Sequence, residues 1–316
     1  MGQNLNTLGN ITEEQRIFYQ KALLKRLLPS LHAYNDAQKS PRPNNSGTTV
    51  NWRKFKSLDI PASALTEGVT PEGKALSVTA VTAQAEQYGD FVAISDLLAK
   101  AGIDKALTEG ALLCGEQACL LIDTIVMNAM RQTKNTMFAG GKASGSITAT
   151  DTLLSADVQK AVLKLKQKNA RRFEDGYYHA QISPEQAYSL MTEKDSGWID
   201  AAKYGSIRKL LKGELGELHG VRFMESTNVH KSTTEHGGSP KIATADAMIY
   251  GADSYGVVDL EGGAGKPSII TKDFGSSGTN DPLNQRATVG WKNMFVAKVL
   301  DDDAIIKLTT AIIVLE

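Results

Sequence analysis

IDKALTEGALLCGEQACLLIDTIVMNAMRQTK, residues Ile103–Lys134, decides how the rest of this chain is read. It holds no proline and is dense in Leu, Ala, Met, Gln and Glu, so it predicts a single helix of about 30 residues, roughly 45 Å long. A small globular domain is narrower than that. Around the helix, Lys105, Glu109, Glu116, Asp123 and Lys134 share one narrow stripe, which Leu113, Leu120 and Met127 interrupt, and nearly everything else is apolar. Such a helix is covered on several sides. Gly110 and Gly115 each cost about 1 kcal/mol relative to alanine inside a helix, which predicts a close partner for the backbone there. The stretch reads as a spine, with the preceding chain reaching outward and the following chain folding back over it.

Outward from the spine, the bulk composition sets the limits. With 316 residues, 41% of them hydrophobic, the chain can bury a sizeable core in one large domain or two smaller ones. The balance of 35 basic against 35 acidic residues argues against a protein whose main task is to coat nucleic acid or an anionic membrane. The charge is unevenly spread. The first sixty residues carry nine Lys and Arg against four acids, so the remainder is net negative and a basic arm can pair with the acidic body of another copy. Cys114 and Cys119 stand about 140° apart around the spine, so they share neither a metal nor a disulfide and read as small buried hydrophobes. The opening MGQNLNTLGN is too polar for a signal peptide, Asn6 stands where a myristoylation site wants Ser or Thr, and no apolar run approaches the roughly 18 residues of a membrane span. A soluble protein made in a reducing compartment is expected.

Before the spine, Thr12 and Gln15 have capping-box spacing and predict a helix that stops at Pro29. LHAYNDAQKSPRPNNSG has the composition of an extended linker. From Thr48 the chain turns to β character, passes a Pro/Gly-punctuated tip (IPASALTEGVTPEGK), and returns through LSVTAVTAQAEQYGDFVAIS. That returning limb is several times a usual strand. Its apolar residues also change parity twice: Leu76, Val78 and Ala80, then Val81, Ala83 and Ala85, then Tyr88, Val92 and Ile94. Parity changes predict bulges or a strand that changes partners along its length. A two-limbed arm that outreaches its own domain needs cover from something else, most economically another copy of the chain.

After the spine, Ser155 predicts the cap of a helix with Val158, Ala161, Val162 and Leu165 buried and Lys160, Lys164 and Lys168 solvated. Ser183, Pro184, Glu185 and Gln186 start another helix. From Val221 onward short β runs dominate, and helices followed by strands without βαβ alternation define an α+β class.

No constellation for chemistry assembles. GGAGKP at 262–267 has Leu260 and Pro267 where a phosphate loop needs Gly and Ser or Thr. His219, His230 and His236 lack the spacing of metal ligands, Asp301, Asp302 and Asp303 read as a turn, and no nucleophile has its base beside it. No catalytic residue, cofactor or metal is expected.

The segments LTEGVTPEGKALSVTAVTAQAEQYGDFVAISDL (65–97), GEQACLLID (115–123), ISPEQAYSL (182–190), DAAKYG (200–205) and NDPLNQRATVGWKNMFVAKVL (280–300), with the predicted helix at 13–28, resemble the major capsid protein family of N4-type tailed phages. The likeness runs through nearly the whole chain in the same order. It implies the Hong Kong 97-type capsid fold: an N-terminal arm at 1–47, an extended β-hairpin loop at 48–96, a peripheral domain with the spine helix at 97–150, an axial domain at 151–280, and C-terminal strands at 281–316 returning to the peripheral domain. It further implies a structural protein, not an enzyme, that self-assembles into pentamers and hexamers of an icosahedral head around double-stranded DNA. The expected location is the virion, after synthesis in the host cytoplasm. Arg53, Lys54, Lys56, Glu67, Lys74 and Tyr88 are the residues expected at contacts between subunits. A portal, non-specific contact with packaged DNA and room for a decoration protein on the outer face are expected of such a head, and no membrane. Only about a dozen residues precede the first predicted helix where the prototype has a long scaffolding segment, so a separate scaffolding protein is expected. The prototype's lysine cross-link is not: Lys74 lies near the hairpin tip, but its partner has no match here. The rival readings are an encapsulin-like compartment shell and an α+β enzyme or ligand-binding protein.

Overall fold

A 26-residue helix, α1 (Ala106–Arg131), runs through the molecule as the spine. The computed structural model describes residues 32–41, 47–55, 58–60, 63–64, 67–68, 70, 73–97, 106–193, 199–200, 214–237, 241–260, 267–276 and 281–313. The predicted helix before Pro29, Lys56, part of the hairpin tip, most of DAAKYG and most of GGAGKP lie outside the described residues.

A helical turn (His32–Asn35) and strands β1 (Gln38–Ser40), β2 (Thr49–Phe55), β3 (Val78–Gln84) and β4 (Glu86–Ser95) precede the spine. After it come β5 (Thr136–Phe138), helix α2 (Ser155–Gln167), β6 (Tyr178–Ile182), helix α3 (Pro184–Thr192), β7 (Ile199–Asp200), β8 (Glu214–Leu218), β9 (Val221–Glu225) and β10 (Lys231–Ser232). Strands β11 (Thr244–Tyr250), β12 (Tyr255–Val258), β13 (Ser268–Lys272), β14 (Arg286–Phe295), β15 (Ala297–Val299) and β16 (Ile305–Ala311) complete the chain. The fold is mixed α+β.

The largest sheet has the order β5-β16-β11-β6-β9-β8-β7, with β10 paired to β11. Alternate residues of β11 serve two cores. Ala247 and Ile249 pack with Val158, Ala161, Val162 and Leu165 of α2 and with Leu190 of α3. Met248 and Tyr250 face Ala118, Ile122, Val126 and Met130 of the spine, a row at four-residue spacing that forms one helix face. The helix start expected at Ser183 and Pro184 is present, and the structure adds a capping box there, with Gln186 reciprocating. Ser155 behaves differently. Leu154 is the N-cap of α2, and the Ser155 hydroxyl is hydrogen bonded to His219 Nε2 at 2.7 Å.

The long limb before the spine changes partners at Ala85. Strand β3 pairs with β2, while β4 pairs with β14 along its whole length. Val81, Ala83 and Ala85 turn inward before the break, and Tyr88 and Ile94 after it, so the second parity change marks the switch. The first does not, because Val78 and Ala80 are exposed on the same strand as Val81.

Three expectations are corrected. The segment before Ser40 is not an extended linker: Ala33 and Tyr34 are fully buried, Tyr255 Oη donates to the Ala33 carbonyl oxygen at 2.6 Å, and β1 joins β12 in parallel. A buried tyrosine whose hydroxyl meets Asp259 Oδ1 and the Leu260 amide outweighs a local composition typical of loops. Gly110 does not mark a close approach, since a methyl group there would meet Ile94 Cδ1 at an ordinary 3.7 Å. Finally, Gly110–Arg131 is long and apolar enough by composition to cross a membrane. Its surroundings define a core helix, with one face in the core around Trp291 and Phe295 and Gln117 bridging Trp291 Nε1 and Asp90 Oδ2 at 3.0 and 2.7 Å.

The C-terminal strands divide their contacts. Strand β14 lies against the spine and Cys114 approaches its Val289 carbonyl oxygen, whereas β16 enters the large sheet between β5 and β11.

Candidate assembly surfaces

The β2–β3 hairpin leaves the body at Trp52, which is buried against the three-stranded sheet β1-β12-β15. Beyond it the hairpin loses its cover: Phe55, Leu58 and Ile60 are 62%, 56% and 89% exposed. An isolated two-stranded ribbon with such side chains in water is marginal on its own. Glu67 lies in a turn with Gly68 at φ 78°, and Lys74 Nζ donates to the Asp59 carbonyl oxygen at 2.5 Å, closing the two limbs near the tip.

The sequence-derived contact residues do not form one cluster. Arg53 and Lys54 stand at the hairpin base, where Lys54 forms an ion pair with Asp301 of the same chain. Glu67 and Lys74 are at the tip. Tyr88 lies past the partner switch on β4, opposite Asn293, half-buried, with its hydroxyl donating to Glu86 Oε2 at 2.9 Å. Burial and the adjacent Glu86 carboxylate push its phenol above the ordinary tyrosine range.

The Asp301, Asp302 and Asp303 turn has a role that sequence reading missed. Asp301 meets Lys54 from the hairpin. Asp302 accepts from Thr133 Oγ1 and the Lys134 amide just past the spine at 3.0 and 3.1 Å. Asp303 is 3.4 Å from Lys168 after α2. Three acids on a 3₁₀ turn thus gather the hairpin base and two helix ends. Their adjacency was the available signal, but their partners are remote in sequence.

Among the described residues, two further apolar surfaces remain open. On the spine, Leu113 and Leu120 are 61% and 59% exposed, on the stripe they share with Glu116. On the β13-β14-β4 sheet, the face away from the spine holds a groove of about 710 Å³. One row of the sheet builds it, because Phe91 and Ile270 both stand opposite Gly290. Gly290 leaves the floor bare, and a methyl group there would come within 2.7 Å of Phe91 Cβ. Exposed Lys272 and Lys292 rim the groove.

Polar residues with catalytic potential are otherwise engaged. His219 is bonded to Ser155, His236 Nδ1 is 2.8 Å from Ser144 Oγ, and His230 is 3.5 Å from Glu235. The three are tied to neighbouring elements rather than free in a loop. Among the described residues no group of three or more His, Cys, Asp and Glu side chains is set to hold a metal ion.

A projecting hairpin, open apolar faces on helix and sheet, and acidic anchors that hold the arms to a body are the features of a protein whose business is contact with other protein. The phage capsid protein family matches residues 78–308. The chain belongs to that family, whose members are structural capsid proteins. Its fold is similar to the capsid subunit of Ralstonia phage GP4, with a TM-score of 0.71 at 17% identity over 89% of each chain. The cyanophage Pam1 capsid gives 0.63 at 15% identity over 88% of this chain and 89% of that one. A virus-like particle from Pyrococcus furiosus gives 0.53 at 12% identity over 93% and 99%. No curated protein matches in sequence.

Proposed function

We propose that this chain is the major capsid protein of an N4-type tailed phage, with the Hong Kong 97-type fold, and that it self-assembles into pentamers and hexamers closing an icosahedral head around double-stranded DNA. In this reading residues 1–47 are the arm, 48–96 the extended loop, 97–150 the spine-bearing peripheral domain, 151–280 the axial domain and 281–316 the returning strands. A separate scaffolding protein and a portal guide assembly, decoration proteins can bind outside, and packaged DNA meets the inner surface without sequence specificity.

The observation that carries the proposal is the hairpin, whose apolar residues beyond Trp52 find no cover among the described residues of their own chain. Its exposed Leu58, Asp59, Ile60 and Glu67 complement the lysine-rimmed apolar groove of another copy, and many weak contacts repeated at every interface decide whether a shell closes. Arg53, Lys54, Lys56, Glu67, Lys74 and Tyr88 remain the residues proposed at or beside such contacts.

The test is to replace residues 60–74 with a two-residue Asn-Gly turn. The subunit's thermal transition should stay within a few degrees, a change of about 1 kcal/mol, while closed particles disappear from negative-stain micrographs of protein assembled with its scaffold. Normal shells from that variant would refute the hairpin's role, and unfolding would assign the segment to the core.

A compartment shell of encapsulin type is the second reading, favoured by the likeness to the Pyrococcus furiosus particle. Particles isolated from the producing cell distinguish the two, by a DNA genome or an enclosed protein cargo.

A further inference from the structure

His179 on β6 is 4% exposed and has a carboxylate at each ring nitrogen: Asp36 Oδ2 lies 2.7 Å from Nδ1 and Asp175 Oδ2 lies 3.0 Å from Nε2. A neutral imidazole carries one N–H, so it can donate to only one of them and turns a lone pair toward the other. Only the imidazolium satisfies both contacts. The ring is held in place by Phe173, stacked at 4.0 Å between centroids and 14° between planes.

The two carboxylates belong to different parts of the molecule. Asp175 is in the loop before β6 and is also paired with Arg222 of β9 at 2.8 Å. Asp36 directly follows the helical turn His32–Asn35, and Tyr250 Oη of β11 donates to it at 2.9 Å. The cavity in front of His179 adds Arg171, Arg172, Glu174 and Asp253 at its walls, and Arg171 is itself paired with Asp253 at 2.9 Å.

We infer that Asp36, His179 and Asp175 form a protonation-operated latch on the root of the N-terminal arm, closed when the imidazole holds both protons and loosened when it gives one up. The root is also attached through Tyr34, Tyr255 and β1, and His32 of the same turn acts on Asp123 of the spine, so the latch adjusts how firmly the root is held rather than releasing it. It is a property of the single chain and does not depend on shell formation.

The direction follows from the surroundings. Burial opposes the imidazolium, but Asp36 and then Asp175 outweigh it and hold His179 above the ordinary histidine value. A group raised in this way contributes stability that is fully present below its unfolded value, about 6.5, and is lost as pH rises through its higher folded value.

Hydrogen–deuterium exchange of full-length protein, corrected for the intrinsic rate and followed from about pH 5 to about pH 9, reads the latch directly. Protection across residues 32–41 should fall by about tenfold above the ordinary histidine value, while the β16 peptide at 305–311 keeps its protection. Asp36→Asn and His179→Gln should each abolish that step. A wild-type profile at 32–41 that does not change relative to 305–311, or a step that survives in both variants, would overturn the inference. Should one variant fail to fold, the other decides, and His32→Gln, which removes the histidine within the 32–41 peptide itself and leaves the Asp36–His179 contact in place, should keep the step.

Discussion

The indole of Trp52 occupies the space above Gly256: a methyl group on the Gly256 α-carbon would stand 2.4 Å from the indole Nε1. Trp52 belongs to the hairpin and Gly256 to the middle strand of the β1-β12-β15 sheet, so this glycine is the socket that seats the hairpin on the body. Gly256→Ala should unseat the tryptophan at an overpacking cost of about 1–3 kcal/mol. Urea titration should show a lower midpoint with a red-shifted native tryptophan emission, and an unchanged midpoint would mean that the strands separate freely.

Arg131 ties the end of the spine to the large sheet. Its Nε donates to Asp246 Oδ2 at 2.8 Å, its Nη2 meets Glu235, and Asp246 also accepts from Thr309 Oγ1 at 2.6 Å. The Asp246 side chain is 4% exposed, so Arg131→Met leaves a buried carboxylate without its cation and should cost about 3–5 kcal/mol. Adding Asp246→Leu should recover much of that loss in a denaturation double-mutant cycle; full additivity would show that the pair is not coupled.

Leu113 and Leu120 test the spine as an assembly face. Because both are largely exposed, Leu113→Gln with Leu120→Gln should change subunit stability by no more than about 0.5 kcal/mol. The same pair should lower the yield of sedimenting particles severely if a neighbour covers this stripe. Particle yield equal to wild type would remove the stripe from the interface.

Asp123 is the spine's buried acid. Burial pushes its carboxyl above the usual carboxylate range, with the Asn228 hydrogen bond and His32 pulling it partly back. The folded state therefore holds the proton more tightly than the unfolded chain does. Stability falls as pH rises from the ordinary carboxylate value of about 4 through the raised folded value, and the penalty is complete above it. Asp123→Asn keeps an oxygen for Asn228 Nδ2, which donates at 3.0 Å, and should raise the melting temperature at neutral pH while flattening the acid side of the profile. A lower melting temperature at pH 7 would show that the ionised form is the stabilising one.

What the sequence determined by itself was local periodicity. The spine could be read because proline-free apolar repetition extends through Ala106–Arg131, α3 because its capping residues lie within one turn of each other, and the partner switch at Ala85 because alternation of side chains flips there. The resemblance carried by 65–97 and 280–300 pointed to the phage capsid family before any contact was known. The tertiary structure alone decided everything that joins distant residues. Asp36 and His179 are separated by 143 positions and Lys54 and Asp301 by 247, and no short-range pattern encodes such pairings, because a carboxylate in a loop has the same local chemistry whether it meets water or a histidine. The same reason hid the packed turn at His32–Asn35. Its polar neighbours describe a loop, and only the cavity between spine and sheet, assembled from several remote segments, gives Tyr34 a place to be buried.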